Sequence, residues 1–177
     1  MDNQIVSALI GIGGVVVGVV VGAAVTAFRD RQNRKREARA LASVLLWEID
    51  DFYKLSIRNV FRSLKDKNPA DLSFDVKPLN FVRFTVFETT ANKIGLLEPV
   101  LVQGVLGFYG NARAYLDTFG DYRQALEQMR TGQQPGSKAV TLLAQIKGSS
   151  EALVPLAKTI CEALAVRAKV NYTFEGP

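Results

Sequence analysis

GIGGVVVGVVVGAAVTAFRDRQNRKREAR, residues 11–39, passes from glycine, valine and alanine to arginine in a single step, between Phe28 and Arg29. The apolar part begins earlier. From Ile5 to Phe28 there are 24 residues without a charge, and only Ser7 and Thr26 carry a hydrogen-bonding side chain. A helix of that length covers about 36 Å at 1.5 Å per residue, against a hydrocarbon core of about 30 Å. The pattern predicts a transmembrane anchor over 1–28. A cleaved signal peptide fits less well, because Met1–Gln4 holds no Lys or Arg and the apolar run exceeds the usual ~7–15 residues.

The flank sets the expected orientation. Residues 29–39 carry Arg29, Arg31, Arg34, Lys35, Arg36 and Arg39 against Asp30 and Glu37, a net +4. Positive flanks stay on the cytoplasmic side, so the reading is a single-pass protein of the bacterial inner membrane. Its N-terminus is outside, its bulk is cytoplasmic, and the basic patch rests on the bilayer and its anionic headgroups. The whole chain is +5, so little charge remains elsewhere, which argues against a nucleic-acid partner.

Within the apolar run, Gly14, Gly18 and Gly22 recur every four residues, and Gly11 lies on nearly the same face. Missing side chains let helix backbones approach, so this stripe predicts packing against another copy, a homo-oligomer, or against another membrane protein.

Beyond residue 39 the apolar positions keep helical spacing. One stripe holds Leu41, Leu45, Ile49, Phe52, Val60 and Leu64, and Asn68-Pro69 ends it. A short helix is predicted over 81–94, capped by Asn80 and stopped by a left-handed Gly95. Pro99 opens the next helix, with a stripe from Leu101 through Val105, Phe108, Ala112, Tyr115, Phe119 and Tyr122 to Met129. After the turn Thr131–Ser137, a last stripe runs through Leu143, Ile146, Leu153, Ala157, Ile160 and Leu164, crossing Pro155 in phase. The expected fold is all-α: the anchor, then an antiparallel bundle over 40–170 with three long helices and one short, and a frayed tail at 171–177.

Catalytic signatures are sparse. The chain has no histidine, which removes Ser-His-Asp and Cys-His arrangements and most zinc sites. Its single cysteine, Cys161, sits near an apolar stripe and reads as packing. Glu48, Asp50 and Asp51 read as a solvated acidic face pairing with Lys54, and no phosphate-binding glycine motif occurs. Neither a metal nor a cofactor is expected. The glycines at 104, 107 and 110 predict a close crossing with the first cytoplasmic helix, the alternative being a weakened segment that bends when a partner binds.

Phe87–Tyr115 resembles small bacterial proteins of unknown function that combine one N-terminal span, a basic juxtamembrane stretch and a helical cytoplasmic part. The matching positions are Asn92, Lys93, Ile94, Gly95, Leu96, Leu97, Phe108 and Tyr109. The resemblance implies a bacterial inner-membrane protein, with phage descent one origin, and implies no activity. The resulting expectation is a non-enzymatic, membrane-anchored scaffold that self-associates through its span and presents its bundle to a cytoplasmic protein. The alternative is a phage- or stress-related pore-former.

Overall fold

The computed structural model describes residues 2–64, 84–132 and 136–176, with side chains from residue 18 onward. It divides into two compact units, residues 1–38 and 39–177. The first helix, α1, covers Asp2–Phe52, and the unit boundary falls within it.

In the first unit every described side chain from Gly18 to Glu37 is exposed. The expected membrane span is not supported here. Among the described residues no helix is long and apolar enough to cross a membrane. The inner-membrane, N-terminus-out assignment and the single-pass topology are therefore withdrawn. Gly11 and Gly14 lie outside the residues whose side chains are described.

The second unit is an all-helical bundle, without strands among the described residues. α1 gives way to a π-helical stretch, Tyr53–Arg58, and then to α2, Asn59–Leu64. Across these elements the predicted stripe is buried, with Leu41, Leu45, Ile49, Phe52, Val60 and Leu64 all at or below 5 % exposure. A short α3 follows at Thr85–Thr90, then a 3₁₀ stretch at Ala91–Leu96. The long helices α4, Pro99–Arg130, and α5, Ser137–Ala168, complete the unit. Pro99 occupies the first turn of α4, where its missing N–H costs nothing. Pro155 stays inside α5. Gly104 of α4 lies against Ile160 of α5, while Asn111 and Ala114 share a shallow recess with Leu153 and Ser149, so the two helices run antiparallel.

Aromatic rings join the elements. Phe52 meets Phe84, Phe108 and Tyr115 edge-on at 5.1–6.4 Å, and Phe87 stacks on Tyr109 at 4.0 Å. Such contacts add about 0.5–1.5 kcal/mol each beyond the area they bury.

Three local expectations fail. The short helix begins at Thr85, and Phe84 before it is not helical. Gly95 is not left-handed; the chain tightens into 3₁₀ turns and leaves extended at Leu97. The expected cap at Asn80 lies outside the described residues. Finally, the tail is docked. The Tyr172 hydroxyl donates to Asp50 at 2.7 Å, Phe174 packs on Tyr53 at 4.4 Å, and Arg58 pairs with Glu175 at 3.0 Å.

Candidate functional site

Two carboxylates of α1 that read as a solvated face are built into the structure. Glu48 accepts the backbone N–H groups of Val86 at 2.7 Å and Phe87 at 3.0 Å, plus the Tyr109 hydroxyl. It satisfies donors that α3 leaves free in its first turn, a capping role supplied from a different helix. Asp50 is 1 % exposed and holds Lys54 at 2.7 Å as well as Tyr172. The predicted pairing with Lys54 is present, on a buried carboxylate. Burial, then the bond to Asp50, pushes the Tyr172 hydroxyl above its ordinary range, and burial followed by Glu48 does the same to Tyr109. The Asp50 contact also raises Lys54. All three shifts favour the protonated partner. These groups fasten elements together.

Cys161 is fully buried, and burial pushes its thiol up to about 12. A thiol so protonated is a poor nucleophile near neutral pH. It packs.

Among the described residues, a groove of about 590 Å³ opens where the start of α4 meets the end of α5. That volume falls within the ~300–1,000 Å³ usual for ligand sites. Val100, Leu101 and Gly104 come from α4; Leu156, Thr159, Ile160, Ala163, Val166 and Arg167 come from α5. Arg39, Glu98 and Lys169 complete the lining. Val100 and Val166 are 82 % and 80 % exposed, so the groove keeps large apolar side chains in water.

Local structure explains the shape. Extended Glu98 precedes Pro99 and swings the chain into α4. At the other helix end, Lys169 adopts φ 60°, ψ 42°. Its N–H reaches Val166 O, and the next N–H, of Val170, reaches Ala165 O. This pair of bonds is a Schellman ending, normally built on glycine. Arg167 and Lys169 there, and Glu98 at the start of α4, also complement the helix dipoles. The Nε of Arg167 is nonetheless buried and has no hydrogen-bond partner among the described residues.

The predicted sites fall elsewhere, with one exception. Arg29, Arg31, Arg34, Lys35 and Arg36 are exposed along α1, whereas Arg39 is half-buried and lines the groove. Gly18 and Gly22 are exposed, and a side chain added at either meets nothing within 4 Å. The glycines of α4 do not meet the first helix as expected. A Cβ at Gly104 touches Ile160 of α5 at 3.5 Å, an ordinary contact, while Gly107 and Gly110 face open space. Reading by sequence missed the groove. Its signal was faint: Leu156, Ala163 and Val166 are apolar but lie off the buried stripe of α5.

Comparison with protein-family models, curated proteins and solved structures finds no match to this chain. The likeness of Phe87–Tyr115 to a bacterial family therefore rests on those residues alone.

Proposed function

We propose that this chain is a non-catalytic helical interaction protein, and that the groove between α4 and α5 is where it receives a segment of another polypeptide. The supporting observation is the exposure of Val100 and Val166 on the rims of a groove with an apolar floor. Exposed apolar surface concentrated in one concave place is costly unless something covers it. The absence of histidine and the inert setting of Cys161 support a binding role over a catalytic one. The test is photo-crosslinking in the cells that carry the protein, with a photoreactive residue at Val100 or Val166 and a control at Leu55, which is 64 % exposed outside the groove. A discrete crosslinked protein from both groove positions, and none from Leu55, is the expected result. Equal labelling from all three positions would remove the groove from the account.

A second surface supports self-association. Val19, Val20, Val21, Val25 and Phe28 are 46–66 % exposed on all sides of α1. A helix apolar all round is stable in water only when covered, and a second copy of the same helix is the partner this reading assigns. Because a side chain added at Gly18 meets nothing within 4 Å among the described residues, Gly18→Ile disturbs no described contact. Sedimentation velocity should show Gly18→Ile shifting the species toward monomer, while Val20→Leu leaves it unchanged. Identical sedimentation of both variants and the parent would exclude the glycine face as the interface.

A further inference from the structure

We infer that the groove takes an amphipathic helix whose apolar stripe is flanked by carboxylates that meet Arg39, Arg167 and Lys169. This rests on the interaction role proposed above and specifies the partner's chemistry.

Length is the first argument. Leu156 and Arg167 are the ends of the α5 wall, eleven residues apart in sequence. At 1.5 Å per residue the wall is about 16 Å long, three helical turns. The floor is low where Gly104 and Ala163 stand, so a helix axis can approach to the ~8–10 Å usual for packed helices. A small molecule on that floor would leave Val100 and Val166 on the rims in water. A helix covers both.

Charge is the second argument. Three cations, Arg39, Arg167 and Lys169, face one carboxylate, Glu98, among the lining residues. Carboxylates from a docked helix would meet these cations through charge-assisted hydrogen bonds. Recognition then follows the familiar helix-in-groove mode, with anchors one turn apart and charges fixing direction.

The test uses three designed peptides of about 14 residues, roughly four turns. They share a leucine stripe, carry glutamate, glutamine or lysine beside it, and bear a neutral fluorophore. Anisotropy is measured against the full chain. The glutamate peptide should bind roughly tenfold tighter than the glutamine peptide, with the lysine peptide weakest. Arg167→Glu combined with Lys169→Glu should reverse that order. Ala163→Trp, at an exposed position, should abolish binding of all three while leaving the melting temperature unchanged. Equal binding of the glutamate and glutamine peptides would overturn the acidic partner and leave the groove a helix site. No peptide binding, or saturable binding of decanoate alone, would overturn both readings and assign the groove to a small amphiphile or to nothing.

Discussion

Glu48 shows how one side chain can fix an element that local sequence barely supports. Residues 85–90 are rich in β-branched and aromatic types, which suit a strand as well as a helix. A carboxylate from α1 decides the matter by accepting the free donors of Val86 and Phe87 together with the Tyr109 hydroxyl. Glu48→Ala leaves those donors without their acceptor and should cost about 2–4 kcal/mol of unfolding free energy. Glu48→Gln keeps one acceptor oxygen and should recover part of the loss; denaturant melts of the two variants check the order. Lys169 presents the opposite case, a residue that its backbone does not favour. A left-handed non-glycine position costs about 1–2 kcal/mol, so Lys169→Gly should stabilise the chain, by about 0.5–1 kcal/mol after the entropy that glycine adds to the unfolded chain. A loss of stability on that change would mean that the lysine side chain contributes more than its backbone strain takes away.

Among elements, the C-terminal tail departs furthest from expectation. Asn171–Gly176 has no helical periodicity, and nothing local distinguishes it from a frayed end. Its order comes from partners more than 110 residues away, Asp50 and Arg58, and such pairings leave no periodic trace in a sequence. The long helices were legible for the converse reason. Their stripes repeat over many turns, so most of the large buried side chains of α1, α4 and α5 could be named from spacing, although Leu101 and Met129 are only half-buried. Gly95 misled because glycine is compatible with a left-handed stop without requiring one. Tail docking has a pH signature. Tyr172 is raised in the folded chain, so its stabilising contribution is complete below the ordinary tyrosine value of about 10 and is lost as pH climbs through the raised one. Lys54, also raised, acts with the same sign. The single tryptophan, Trp47, touches Tyr172 edge-on at 6.4 Å and reports on the contact. Its emission should hold steady from neutral pH to about 10 and then change. Tyr172→Phe should show released-tail emission at neutral pH and lose about 1.5–3 kcal/mol, the worth of a hydrogen bond to a charged group. An emission change centred well below pH 10 would assign the tail's attachment to another group.

For the whole molecule, the all-helical class and the bundle followed from pattern, while the expected membrane span and the site did not. A bundle needs only its stripes to be specified; a groove depends on where two helix ends stop and how they splay, which is set by Pro99 at one end and Lys169 at the other. Composition weighted the reading toward residues 11–39, where glycine and arginine are conspicuous, yet only Arg39 of the named positions lines the groove. The residues that matter there, Val100, Ala163 and Val166, look unremarkable in the sequence because their meaning lies in being left uncovered. The account therefore depends on the groove being an open face that the fold itself does not need. The most direct measurement is the unfolding free energy of the full chain carrying Val100→Glu and Val166→Glu together. Both valines are at least 80 % exposed, and exposed positions away from special features usually tolerate change within about 0.5 kcal/mol. The account predicts a value within about 1 kcal/mol of the parent for the pair. A loss of several kcal/mol would contradict it, by showing that these valines belong to the protein's own core and that the groove is closed in solution.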